Sequence, residues 1–230
     1  MAKIIVIDGL DGSGKATQSA IVEKKLKDLG YNVVKASFPN YNSESSAAVR
    51  MYLNGELGTD AKKLNPFMCS AFYAVDRAIQ FCQTLHEEYE KDNNIILLDR
   101  YLSANIIHQG GKFKSDDKMK DFFLWDYKFE TEYLGIPKDD ITIVLEVPVN
   151  VSQKLMTKRY NGNEEKKDIH EADVEYLNLC YHSMEVACNT LPSEGHNWVR
   201  VSCSNDGENI RDIEDINKEI MGHILRVLDN

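Results

Sequence analysis

Five short apolar runs, at residues 4–7, 33–38, 95–98, 141–147 and 198–203, constrain this chain more than any other feature. Most are continuous rather than alternating, the pattern of strands covered on both faces. Helical periodicity fills the stretches between them. Val22, Leu26 and Leu29 repeat at spacings of four and three, and Gly30 supplies a stop. Asn65-Pro66 opens a long helix over 67–89, with Pro at its first position. Phe67, Ala71, Ala74, Ala78, Cys82 and Leu85 are expected on its buried face. Ile210, Ile213, Ile216, Ile220 and Ile224 form a stripe expected to face the core. Strand and helix alternate, which predicts an α/β fold, a doubly wound five-stranded parallel sheet flanked by helices. A length of 230 residues suits a single domain spanning 1–230.

Directly after the first run comes Gly9-Leu10-Asp11-Gly12-Ser13-Gly14-Lys15-Ala16-Thr17, and then a helix. Glycines let the backbone curl so that its N–H groups point at an anion. The helix N-terminus adds its dipole, and Lys15 reaches the outer phosphates. Gly-x4-Gly-Lys between strand and helix is the phosphate loop of the P-loop NTPase type, and residues 9–17 are the expected ATP site. One position departs from the pattern. Ala16 stands where a Ser or Thr hydroxyl would help hold magnesium, so direct coordination by the loop is not expected.

Composition narrows the partners. The net charge is −10, with 37 acids against 27 Lys and Arg, which argues against non-specific binding to nucleic acid or an anionic membrane. The apolar run at the N-terminus is too short for an export signal, and no stretch reaches the length of a membrane span. Five cysteines and six histidines form no paired metal-ligand spacing. Reduced thiols, a cytoplasmic setting and no structural metal are the expectation.

Two pairs carry chemistry of their own. Tyr73 and Arg77 are four apart on a helix and share a face, either as an exposed cation–π pair or as a stacking ring beside a donor fork. Asp99-Arg100 stands at the carboxyl end of a strand, where doubly wound sheets gather ligand groups. Arg100 is suited to bridging two phosphates and Asp99 to a metal through water; a buried ion pair is the plainer alternative.

Four segments resemble the thymidylate (dTMP) kinases, over residues 3 to about 203: Phe38-Pro39-Asn40-Tyr41, Phe72-Tyr73-Ala74-Val75-Asp76-Arg77, Asp99-Arg100-Tyr101 followed by Asn105, His108 and Gln109, and Leu134-Gly135-Ile136-Pro137-Lys138. The resemblance implies transfer of the γ-phosphoryl group of ATP to dTMP, with Mg2+, in a homodimer paired through helices. Under it Asp11 matches the acid that holds the sugar 3′-hydroxyl. Phe38 and Tyr41 lie near base and monophosphate, Tyr73 replaces a stacking Phe, and Arg77 and Asn105 meet the pyrimidine. His108 stands in place of a Tyr beside the deoxyribose, and Gln109 completes the dTMP set. Lys15, Arg100, Asp99 and Arg159 make up the catalytic set, and magnesium is held mainly by phosphates and water, backed by Asp8 or Asp99.

Members of the family carry an Arg in the phosphate loop or in the lid. Gly12 fills the loop position and Ile169 the lid position, which leaves Arg159, then Lys166 and Lys167, in a lid over 159–170. Asp139 replaces a Pro. The competing readings are a kinase for another pyrimidine nucleotide or a deoxynucleoside, and an inactive nucleotide-binding relative. A GTP switch lacks its Asn-Lys-x-Asp segment after the fourth strand.

Overall fold

The computed structural model describes residues 1–159 and 173–229. In chain order these form β1 (Lys3–Gly9), α1 (Lys15–Asp28), β2 (Asn32–Ser37), α2 (Ala47–Leu53), α3 (Pro66–Gln80) and α4 (His86–Tyr89). Then follow β3 (Asn94–Asp99), α5 (Leu102–Gly110), α6 (Asp116–Lys128), β4 (Ile141–Glu146), α7 (Val149–Arg159), α8 (Val174–Thr190), β5 (Trp198–Ser202) and α9 (Ile213–Leu228). Among the described residues the sheet has the order β2-β3-β1-β4-β5 with every pairing parallel. The strands fall on the five apolar runs.

Those runs are continuous because both faces are buried. Ile4, Val6, Ile96, Leu98 and Val144 pack on one side with residues of α5, α6 and α8. Ile5, Ile7, Ile95, Leu97, Ile143 and Leu145 pack on the other against Val22 and Leu26 of α1 and Ile216, Ile220 and Ile224 of α9. Each strand alternates between the two cores with the period-2 geometry of extended chain. Leu29 falls beyond the end of α1 and is exposed.

Two periodic expectations are corrected. The helix expected over 67–89 is three pieces, because the π turn Phe81–Leu85 separates α3 from α4. The buried face of α3 is Cys69, Ser70, Ala74, Asp76, Arg77 and Gln80, whereas Phe67 is 40% exposed and Cys82 is exposed. Of the expected stripe Ala74 and Leu85 are buried and Ala78 packs on the core, so the apolar count placed part of the face and missed its polar members, which look onto the site. In the C-terminal stripe Ile216, Ile220 and Ile224 are core, but Ile210 and Ile213 are 39% and 49% exposed. They precede or open α9 and overhang the carboxyl edge of the sheet.

Two glycines fix how closely α5 is held. A Cβ on Gly110 would stand 2.2 Å from Ser183 Oγ and 2.7 Å from Phe123, and one on Gly111 would stand 2.9 Å from the Cys180 backbone nitrogen. Gly110 lies against side chains of α6 and α8, and Gly111 directly against the α8 backbone.

Candidate active site

The carboxyl ends of β1, β2 and β3 open on a cavity of about 790 Å³. Residues 11–18 form its floor, Asp99 and Arg100 one wall, and Leu155, Cys203, Ile210 and Ile213 an apolar wall opposite. A narrow side chamber of about 20 Å³ shares Asp11, Phe38, Pro39, Tyr41 and Arg100 with it, and adds Tyr73, Arg77, Asn105, His108 and Gln109. One compartment is therefore built on a phosphate loop and the other on aromatic and hydrogen-bonding side chains, and Arg100 lines both.

The loop takes its shape from glycine. Gly9 has φ 146°, and a Cβ there would meet Leu145 O at 2.6 Å. Gly12 has φ 78°, and a Cβ would lie 2.7 Å from Ser152 O and 2.8 Å from Met156 Cγ of α7. A side chain at position 12 would collide with α7 as it is packed here. Lys15 Nζ donates to Gly9 O at 2.9 Å and Leu10 O at 2.8 Å. Burial, with Arg100 nearby, lowers the Lys15 pKa.

Arg100 adopts φ 68°, and its backbone N–H donates to Ile7 O. Its guanidinium pairs with Asp11, not with the adjacent Asp99. Burial opposes that charge, and Asp11 and Asp8 outweigh it, so the Arg100 pKa is raised. Asp8 is fully buried and accepts from Gly9 N at 2.7 Å and Ser103 Oγ at 2.5 Å. Burial outweighs the neighbouring cations and raises its pKa.

The donor set of the described residues fits a magnesium held through water. Among the described residues no three acids, histidines or cysteines converge as a cage. Asp8 has both oxygens engaged, whereas Asp99 lines the cavity. A metal carried on ATP phosphates, with Asp99 holding one of its waters, suits these oxygen donors.

In the side chamber Phe38 is buried and tilts against Tyr101, with ring centroids 5.8 Å apart. Asp76 fixes the loop that follows by accepting from Asn40 N at 3.1 Å and Ser45 Oγ at 2.5 Å. Tyr73 meets Tyr52 edge-on, and Tyr41 is 48% exposed at the rim. Arg77 is not in an exposed cation–π pair. It is buried, with Nε and Nη2 bonded to Glu130 at 2.7 and 2.5 Å. Asn105 joins the same acid, and His108 and Gln109 are buried beside it. Burial lowers the His108 pKa to about 3. Asp139, in place of a Pro, accepts from Thr142 Oγ1 at 2.8 Å.

Sequence reasoning missed Glu130, Asp126, Ser103 and the apolar wall. Glu130 lies in Phe-Glu-Thr-Glu-Tyr, which reads as a solvated helix face, and nothing local marks it as buried. The side chain of Arg159, which closes α7, lies outside the described residues. So do Lys166, Lys167, Ile169 and the rest of the expected lid beyond residue 159.

The family model described as Thymidylate kinase matches residues 7–210. This chain belongs to that family. With it the chain belongs to the ATP-dependent nucleoside monophosphate kinases. The thymidylate kinase of Mycobacterium tuberculosis is 27% identical over 180 residues, covering 75% of this chain and 79% of the relative. A probable thymidylate kinase of Sulfurisphaera tokodaii is 27% identical over 181 residues, covering 78% and 83%. A thymidylate kinase structure from Ehrlichia chaffeensis superposes with a TM-score of 0.63 at 18% identity, covering 97% of this chain and 98% of that one. That likeness confirms the five-stranded fold. The GTP-switch and inactive-relative readings lose ground to the family match.

Proposed function

We propose that the protein transfers the γ-phosphoryl group of ATP to dTMP, giving dTDP and ADP, and so feeds dTTP synthesis. The observation that carries this is the junction of the two chambers at Arg100, one edged by the phosphate loop and the other by Tyr73, Arg77 and Asn105. ATP phosphates would take the place of Gly9 O and Leu10 O as partners of Lys15, and the purine would lie along Leu155, Ile210 and Ile213. The monophosphate would face Arg100, and the pyrimidine would lie under Tyr73 with Arg77 at its edge.

Phosphoryl transfer asks the protein for alignment and charge neutralisation rather than covalent chemistry. No general base is needed, because the attacking monophosphate oxygen is already anionic. Magnesium, when bound, would add charge screening, with Asp99 placed to hold it through water. Arg100, held by Asp11, can swing its fork to oxygens of both substrates. Asp11 would then turn toward the sugar 3′-hydroxyl.

The apolar exposure of Met68, Val75 and Ile79 on α3 supports pairing of two copies through that helix, to be read from sedimentation velocity. No described helix is long and apolar enough to cross a membrane, and all five cysteines are free. A cytoplasmic homodimer completes this reading. A coupled ADP-release assay with and without dTMP tests the function. The expected result is turnover that depends on dTMP, and turnover with thymidine instead would move the protein to the nucleoside kinases.

A further inference from the structure

Arg77 and Asn105 do not stand in the side chamber independently. Both reach the same oxygen of an acid that the family resemblance does not point to. Glu130 lies in the π turn Phe129–Tyr133 that follows α6, with its side chain fully buried. Its Oε1 accepts from Arg77 Nη2 at 2.5 Å and from Asn105 Nδ2 at 3.0 Å, and its Oε2 accepts from Arg77 Nε at 2.7 Å. Asn105 Nδ2 also donates to Asp126 Oδ1 at 3.2 Å and to Ser70 O at 3.3 Å.

These bonds fix the sense of both side chains. Ser70 O is a backbone carbonyl, and Glu130 Oε1 is already paired with a guanidinium, so neither can donate. The Asn105 amide must turn its NH2 inward, which leaves Oδ1, an acceptor, for a ligand. Glu130 occupies Nε and Nη2 of Arg77, which leaves Nη1, a donor. Burial, and then the Glu130 charge beside it, push the Asp126 carboxyl well above the ordinary carboxylate range. Glu130, and not Asp126, makes the ion pair with Arg77.

We infer that Glu130 is a specificity-determining positioning residue: it sets Arg77 as donor and Asn105 as acceptor toward the pyrimidine edge. Thymine and uracil present a carbonyl at position 4 and an N–H at position 3. Cytosine presents an amino group and a bare nitrogen, so it is mismatched at both. A site built on paired polar groups rejects such an analogue by about 10⁴-fold, far more than it rejects a missing methyl. The inference rests on the reading of the side chamber as the base site, and it gives the order dTMP, then dUMP, with dCMP far behind.

The test compares kcat/KM for dTMP and dCMP in the full chain. Glu130→Gln keeps the size but loses the charge, and its amide nitrogen cannot accept from Arg77 or Asn105. The dTMP-to-dCMP ratio should fall roughly 10- to 100-fold, the worth of one charge-assisted hydrogen bond. The fall should come through KM for dTMP, with kcat and KM for ATP little changed. A merely structural ion pair would lower the folded fraction and leave the ratio alone.

Because Glu130 is proposed to act through Arg77 and Asn105, Glu130→Gln should add clearly less in an Arg77→Met background than in wild type, the remainder passing through Asn105, and effects that multiply in full would overturn the inference. Should Glu130→Gln fail to fold, Glu130→Asp keeps the charge but draws the carboxylate back, so that it cannot hold both partners. A folded Glu130→Asp protein with the full wild-type ratio would overturn the inference equally. A wild-type protein with no preference for dTMP over dCMP would remove the base-site reading itself, and this inference with it. A discriminating wild type beside an equally discriminating folded Glu130→Gln variant would remove this inference alone.

Discussion

Lys15 and Arg100 hold each other's surroundings in balance: Lys15 lies 3.9 Å from Asp11, and Arg100 pairs with the same carboxylate. Either cation matters most when charge spreads over the transferring group. Lys15→Ala and Arg100→Ala should each cut kcat by about 10²- to 10³-fold, the cost of removing one preorganised donor. Steady-state rates with both substrates saturating would check this. His108 makes a second prediction, through stability. Its folded pKa is about 3 against an ordinary 6.5, because burial opposes its charge, with Arg100, Lys15 and Lys112 against it and Asp11 in favour. The unfolded chain therefore takes up the proton first. The stabilisation is full above pH 6.5 and is lost as pH falls toward 3. Unfolding free energies of wild type and His108→Gln from urea denaturation should diverge by about 1.4 kcal/mol for each pH unit below the unfolded pKa. The raised carboxyls of Asp8, Asp126 and Asp139 work in the opposite direction, but they are present in both proteins and cancel.

At the scale of elements, α9 serves two masters. Ile220 is fully buried against the sheet, while Ile213 stands half exposed on the cavity wall. Ile220→Ala should cost roughly 2–5 kcal/mol, read from chemical denaturation. Ile213→Asp should leave stability within about 0.5 kcal/mol of wild type, in the manner of a surface change, and instead raise KM for ATP. The sequence announced the stripe but not its division, because periodicity reports which residues share a face and not where the underlying sheet ends. The same limit applies to α3. Its strongest apolar positions face outward, and its site face is Ser70, Asp76, Arg77 and Gln80, residues that periodicity reads as solvent-facing. Where a motif had a fixed local geometry, reading was direct: Asn65 caps α3 by accepting from Met68 N, and the glycines of the phosphate loop adopt positive φ. Glu130 was illegible for the converse reason. Its role depends on a residue 53 positions away, and nothing nearby in the chain signals it.

Across the whole molecule, the five parallel strands and their two-sided burial follow from runs apolar enough to be covered on both faces, and these are legible in the sequence; the order β2-β3-β1-β4-β5 is not. What the runs do not contain is the order in which parts of the molecule loosen. Gly110 and Gly111 hold the end of α5 against α6 and α8, so close that even a methyl group would not fit. The helix that carries Asn105, His108 and Gln109 is thus clamped on the molecule's inner side, while Tyr41 and α7 lie at the open mouth. Opening α5 would mean separating three helices at once, a sub-global event rather than local fraying. Its amides should exchange with deuterium among the slowest in the chain, and those of the loop around Tyr41 far sooner. Slow exchange across α5 that persists when nucleotide is added would mean the acceptor floor stays still through each catalytic cycle. Substrate capture would then be timed by the rim alone.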